Sequence, residues 1–206
     1  MSFTGFTKQD FDTFAIEGLE ERMAAIQERI QPKFQAISDE ISKDLASYTG
    51  YDIYLHIARH ARRKVNPPAD TWSAYCHDKR GYKKHPHFQI GLFDDHVFLW
   101  LAYIYEMPDK QEIGTRFLDN MDSITENIPR EFMVSQDHMK KDAESLETID
   151  LEKALTRFRD VKKGEFLIGR QIKADDPLLQ DGEKFLNFAR ETFETLAPLY
   201  KLSMRN

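Results

Sequence analysis

Apolar and polar positions alternate with a period of two in the middle third of the chain. The segment YDIYLHI (51–57) has an apolar residue at every second position, and Thr71–His77 and His87–Phe93 show the same pattern. Successive side chains of a strand point to opposite faces, so this pattern predicts three strands. A helix through HIARHARR (56–63) is the alternative for the end of the first segment.

The run Val97–Tyr105 is apolar at every position. Its nine residues are too few for a helix that crosses a bilayer, so they predict a strand buried on both faces at the centre of a sheet. Asp94 and Asp95 link this strand to the preceding one, which indicates a tight hairpin. The stretch KRGYKK (79–84) predicts the tip of another hairpin between the strands before and after it.

Both ends of the chain have the helical period instead. Apolar residues recur three or four positions apart in 19–45 and again in 185–196. Gly50 predicts the end of the first helical section, and Asp181 predicts the start of the last helix. Further elements are predicted as helices after Pro108 and Asp150 and as strands at Phe132–Ser135 and Phe166–Ile172.

This order of elements predicts the fold class. The links between the middle strands are too short for the crossovers that parallel strands need. We therefore predict a single α+β domain over residues 1–206. It has one mostly antiparallel sheet with hairpin-connected central strands, covered by N-terminal and C-terminal helices.

Composition favours a cytoplasmic protein. Hydrophobic residues make up 41% of the 206 residues and charged residues 31%, as in ordinary globular proteins. Cys76 is the single cysteine, which excludes an intrachain disulfide and suits a reducing compartment. The first residues lack a secretory signal pattern, so we expect no association with a membrane.

Charge is distributed unevenly along the chain. The net charge is −6, yet residues 56–87 contain eight basic and two acidic residues, a local charge of +6 that leaves −12 elsewhere. Such a basic segment can bind an anion, or it can pair with the acidic surface around it. The basic residues are Arg59, Arg62, Arg63, Lys64, Lys79, Arg80, Lys83 and Lys84.

In a simple meander of strands, the two halves of the basic segment lie at opposite ends of the sheet. Arg62 and Arg63 would then lie beside Asp94 and Asp95 and form ion pairs with them. The hairpin at 79–87 has fewer acidic residues nearby to pair with its cations, which makes it the stronger candidate for an anion site. A different strand order would instead bring the two halves of the basic segment together. The candidate ligand-binding residues are Arg62, Arg63, Lys79, Arg80, Tyr82, Lys83, Lys84, His85, His87 and Gln89.

We predict that the ligand of this hairpin carries phosphate: a nucleotide, another phosphorylated metabolite or RNA. One alternative is an enzyme that uses His85 or His87 as acid–base while Arg80 and Lys83 hold a phosphate. Another is an interaction module that binds an acidic protein. We expect no metal at the hairpin histidines, because the neighbouring cations oppose it, and the sequence identifies no cofactor.

Several segments resemble one protein family. HARRKVNPPADTW (60–72), KRGYKKHPHFQIGL (79–92), RIQPKF (29–34) and ETFETLAPLYKL (191–202) are similar to the YktB family of uncharacterised proteins from Bacillus-type bacteria. The likeness covers nearly the whole chain. It implies a single α+β domain in the cytosol, and it implies neither an activity nor catalytic residues.

Overall fold

One antiparallel sheet of seven strands forms the centre of the protein. The computed structural model describes residues 2–204. The sheet has the order β1-β2-β3-β4-β7-β5-β6, and every neighbouring pair is antiparallel, which confirms the predicted α+β class. The strands are β1 (Tyr54–Ile57), β2 (Thr71–Cys76), β3 (His87–Leu92), β4 (His96–Tyr103), β5 (Met133–Ser135), β6 (Glu144–Ser145) and β7 (Phe166–Lys173).

The middle of the sheet is the predicted meander. β4 is the fourth strand in the order and is buried at every position, which confirms the central strand. The tight hairpin before it is also confirmed, since the Phe93 N–H donates to the His96 carbonyl at 3.0 Å. β2 and β3 pair directly, as predicted, but ten residues (77–86) connect them.

The helices lie before and after these strands. The N-terminal section combines α2, a π-helical turn (Ile26–Ile30) and α3, and it ends where Gly50 adopts the left-handed conformation with a φ of 82°. Asp181 caps the last helix by accepting the Lys184 N–H at 3.0 Å. The helices are α1 (Lys8–Asp12), α2 (Leu19–Ala25), α3 (Gln31–Thr49), α4 (Lys110–Asp119), α5 (Met121–Asn127), α6 (Leu151–Asp160) and α7 (Gly182–Ser203), with 3₁₀ turns at Thr13–Ala15 and Pro177–Gln180.

The helices cover one face of the sheet, which we call the helix face. It contains Tyr75, Phe88 and Leu101, which are opposite one another on β2, β3 and β4. The ring of Phe88 packs against Phe193 and Tyr200 of α7, at centroid distances of 5.0 and 5.3 Å. The larger hydrophobic cluster of the protein lies on this face. Burial of each large apolar side chain in it contributes about 1.5–3 kcal/mol.

The opposite face, which we call the loop face, is covered differently. Its row of residues includes Ala74, Gln89 and Trp100. Among the described residues, its hydrophobic cluster contains strand and loop residues but no helical ones. Three irregular segments contribute to its cover: 58–70, 77–86 and 136–143. Polar loop residues can therefore meet strand residues directly on this face.

No helix in the described part of the chain is long and apolar enough to span a membrane.

Candidate functional site

A tryptophan and a tyrosine form the centre of the loop face. Trp72 belongs to β2, and its Nε1–H donates to the hydroxyl of Tyr82 at 3.2 Å. Tyr82 comes from the β2–β3 connection (77–86), which is anchored over the sheet face by this contact. The predicted tip KRGYKK (79–84) lies within this ten-residue connection, in which the His85 N–H donates to the Tyr82 carbonyl at 3.0 Å.

Four histidines surround this pair. The ring centroids of His60 and His138 lie 5.5 and 6.0 Å from that of Trp72. Those of His56 and His87 lie 5.6 and 4.8 Å from that of Tyr82. The contacts join side chains from β1, β3 and all three covering segments. We call these six residues the aromatic cluster: His56, His60, Trp72, Tyr82, His87 and His138.

His87 is the most deeply buried histidine of the cluster, with no exposed surface. Its Nδ1–H donates to the His85 carbonyl at 2.8 Å, and its Nε2 accepts from the Gln89 amide at 2.8 Å. Burial lowers the pKa of His87 to about 3, so the ring is neutral at pH 7. Both ring nitrogens already have hydrogen-bond partners, so the His87 ring is held in place and lines the site.

His138 is held by a buried carboxylate. Glu165, which is 3% exposed, accepts hydrogen bonds from the His138 N–H at 2.8 Å and from its Nδ1–H at 2.8 Å. Burial lowers the pKa of His138, but the hydrogen bond and charge of Glu165 outweigh this effect and the net direction is upward. Contact with Glu165 therefore shifts His138 towards its protonated form relative to a free imidazole.

Asp70 lies at the end of segment 58–70, and one of its two carboxylate oxygens has no hydrogen-bond partner. It is 1% exposed, and its Oδ2 is the single buried side-chain oxygen or nitrogen without a hydrogen-bond partner among residues 2–204. Burial raises the pKa of Asp70 to about 6, although the charges of His138 and Arg63 act in the opposite direction. Native proteins rarely leave a buried carboxylate oxygen without a donor.

The predicted ion pairs of Arg62 and Arg63 with Asp94 and Asp95 are wrong. Both aspartates pair instead with Lys141, whose Nζ lies 3.1 Å from Asp95. Lys141 belongs to segment 136–143, which crosses the end of the β3–β4 hairpin. Its position far along the chain concealed this partner from sequence reasoning.

Most cations of the basic segment have no carboxylate partner. Within residues 2–204, Lys83 alone of the eight lies within 4.0 Å of a carboxylate, with its Nζ 3.2 Å from Glu106. Lys79 lies over the ring of Tyr54 at 6.0 Å, and Arg63 donates to the Asn66 and Pro67 carbonyls at 3.4 Å. The positive charge expected from the sequence is therefore largely uncompensated by direct contacts.

The structure brings only some of the predicted ligand residues together. Tyr82, His87 and Gln89 meet on the loop face. Around it, four predicted cations are exposed and two are half-buried: Arg62, Lys79, Arg80 and Lys84, and Arg63 and Lys83, respectively. His85 faces the other way. Its Nε2–H donates to Asp78 at 3.1 Å, and its ring packs against His77 at 4.7 Å.

The residues predicted from the sequence omit six members of the site, namely His56, His60, Asp70, Trp72, His138 and Glu165. His138 and Glu165 are separated from the basic segment by more than fifty positions. The pairing of β7 with β4 and of β5 with β7 brings them close to it. One signal was available, since Glu165 is a charged residue immediately before the apolar strand β7. Asp137, His138 and Glu165 also place one ligand atom each within 4.8 Å of one another, a spacing that suits a metal ion.

A separate concavity lies along the end of β7 and beside α7. Its volume is about 910 Å³, and its lining mixes cations such as Arg170 and Lys173 with carboxylates such as Glu131 and Asp175. The guanidinium of Arg170 is already stacked 3.8 Å from the ring centre of Phe188. None of the predicted ligand residues lines this concavity, so volume alone does not make it the functional site.

Comparison with known proteins gives matches over almost the whole chain. A family profile described as "Domain of unknown function (DUF1054)" matches residues 6–200. The UPF0637 protein ABC2405 of Shouchella clausii is 54% identical over 204 residues, covering 99% of this chain and 97% of that protein. The UPF0637 protein OB1420 of Oceanobacillus iheyensis is 56% identical over 201 residues, 97% of each chain. The UPF0637 protein lwe1043 of Listeria welshimeri is 50% identical over 205 residues, 100% of each chain.

Proposed function

The chain belongs to the DUF1054 family, and we propose that it binds an anionic, phosphate-bearing ligand at the β2–β3 connection. Family membership confirms the YktB-type resemblance, and it leaves the activity to be argued from the site. The contact residues of this proposal are the cations of 79–84 together with Tyr82, while Arg62 and Arg63 add positive charge from segment 58–70.

The observation that supports the proposal is the lack of ion pairs. If the basic segment only balanced the acidic surface, its cations would lie against carboxylates, yet Lys83 alone does so among the described residues. Uncompensated cations on a protein of net charge −6 attract anions locally, because their field is not cancelled by direct neighbours. Each well-placed hydrogen bond from such a cation to phosphate contributes about 1.5–3 kcal/mol.

The neighbouring aromatic side chains favour a nucleotide or RNA among phosphate-bearing ligands. Tyr82 is half-buried and its ring is held by Trp72 and His87, so it is a rigid platform beside the cations. Stacking of a base on an aromatic side chain contributes about 1–3 kcal/mol. A phosphorylated metabolite without a base would use the cations alone.

Calorimetric titration tests the proposal. The probes are inorganic pyrophosphate, a nucleoside triphosphate and a short RNA, each at two salt concentrations. The variant Lys79→Ala/Arg80→Ala/Lys83→Ala/Lys84→Ala should lose binding, whereas Lys43→Ala/Lys153→Ala/Lys162→Ala/Lys163→Ala has the same charge change at exposed positions and should keep it. Equal affinities in the two variants would refute the site.

Other results of this experiment would select the alternatives. Turnover of a phosphorylated probe would support the enzyme, and the acid–base residue would then have to be found by mutation. Absence of binding to all three probes would refute the phosphate ligand and leave the acidic protein partner.

We also propose a cytoplasmic location. Cys76 is buried and unpaired, which suits a reducing compartment. Fractionation of cells that express the protein with a small tag would test this proposal, and recovery outside the cytoplasm would refute it.

A further inference from the structure

We propose that Asp137, His138 and Glu165 form a binding site for a divalent transition-metal ion, at the edge of the aromatic cluster. The three side chains come from two elements, since Asp137 and His138 belong to segment 136–143 and Glu165 precedes β7. Their ligand atoms lie within 4.8 Å of one another. This site is distinct from the phosphate site and does not depend on it.

The spacing is close to that of a formed site. Zinc binds imidazole nitrogen and carboxylate oxygen at about 2.0–2.2 Å, so ligand atoms around a tetrahedral ion lie about 3.3–3.6 Å apart. The Nδ1 of His138 and the Oε2 of Glu165 are 2.8 Å apart, a hydrogen-bond distance that an ion would widen. The side chains therefore need small adjustments, without movement of a strand.

A second observation points to a missing ligand at this place. The Oδ2 of Asp70 has no donor although Asp70 is almost fully buried. Asp70 is outside the group of three ligand residues, but it lies two positions before Trp72, whose ring centroid is 6.0 Å from that of His138. A water molecule on the ion would supply the hydrogen-bond donor that Asp70 lacks.

The ion explains more than a simple ion pair does. Glu165 and Asp70 are two buried carboxylates, 3% and 1% exposed. The ion-pair explanation accounts for Glu165 and His138 but leaves the Asp70 oxygen without a partner.

The ion also has a route from solvent. The Asp137 side chain is 41% exposed and that of His138 is 17% exposed, so an ion can bind Asp137 first and then reach the buried Glu165. The donor set of one nitrogen and two carboxylates suits zinc and manganese better than magnesium, which prefers oxygen ligands and retains its water. By the general order of affinities, Zn²⁺ should bind more tightly than Mn²⁺.

The test is titration of chelator-treated full-length protein with Zn²⁺ and with Mn²⁺, followed by X-ray absorption of the zinc complex. We expect one ion per chain, with one imidazole and at least two oxygen ligands at about 2.0–2.2 Å. Asp137→Asn should weaken Zn²⁺ binding at least tenfold. Asp142→Asn, an exposed carboxylate of the same segment, should leave the affinity unchanged.

Two outcomes would overturn the site. One is the absence of stoichiometric Zn²⁺ binding by the wild-type protein. The other is equal affinity of the wild type and Asp137→Asn, which would place the ion at other histidines, such as the His77 and His85 pair. Glu165→Gln should also lose the ion, but it alters a buried residue, so the half-exposed Asp137 provides the decisive variant.

Discussion

The buried carboxylate of Asp70 should make the stability of the protein depend on pH. Burial raises its pKa from 3.8 to about 6 in the folded state, against the opposing charges of His138 and Arg63. The folded state therefore binds the proton more tightly than the unfolded state. The free energy of unfolding should then fall as the pH rises from about 4 to about 6, and it should stay lower above pH 6.

The magnitude follows from the two pKa values. A tenfold change in proton affinity corresponds to about 1.4 kcal/mol, so ionisation of the buried group costs at most about 3 kcal/mol. About 2 kcal/mol of this falls between pH 4 and pH 7.5. Asp70→Asn removes the ionisable group, and the variant should gain about 2 kcal/mol relative to wild type over this pH range. Any constant cost of the Asn amide cancels in that comparison.

Urea unfolding of both proteins across this pH range, with chelator present, measures the difference. The control Asp52→Asn changes an exposed aspartate and should follow the wild type at every pH. A difference between Asp70→Asn and wild type that does not change with pH would refute the reasoning. It would mean that Asp70 has a favourable partner in the folded state.

Two further variants test other parts of the loop face. Gly91→Ala should destabilise the protein by about 1–3 kcal/mol in urea unfolding, because a Cβ there would collide with Phe98. The control Gly81→Ala places its Cβ in open space and should change the stability little. Equal effects of the two variants would contradict this packing. Glu165→Gln should lower the pKa of His138, because the substitution removes the charge that raises this pKa. NMR titration of the His138 ring proton, with chelator present, measures the change. An unchanged pKa would contradict the contact between the two side chains.

The regular elements could be predicted because their signals are local. The alternation in 71–77 and 87–93 appears as β2 and β3, and the uniformly apolar run 97–105 gives the central strand β4. Gly50 ends a helix because a left-handed residue is needed there. Each of these signals involves residues that are close in sequence, so no tertiary information was required. The extent of the single domain stays a prediction.

The site could be predicted only in part. Tyr82 and His87 were found because they lie within the basic segment, and Gln89 because it follows that segment closely on β3. The local charge pattern of the segment does not fix how residues 77–86 bend over the sheet. The contact between Trp72 and Tyr82 is what holds that connection. His138 meets Glu165 through the pairing of β5 with β7, and a one-dimensional charge pattern contains no information about that pairing.

The two faces of the sheet differ in what they bury, and this difference locates the chemistry. The helix face buries mainly apolar side chains such as Phe88 and Leu101, which are stable without partners. The loop face buries polar groups, and burial of a polar group without a hydrogen bond costs roughly 2–7 kcal/mol. His87 and Glu165 avoid this cost through their hydrogen bonds, whereas the Oδ2 of Asp70 does not. A ligand that donates to Asp70, or a water molecule held by a bound ion, would give this oxygen its missing hydrogen bond. Binding at the loop face should therefore stabilise the folded protein beyond the contacts of the ligand itself.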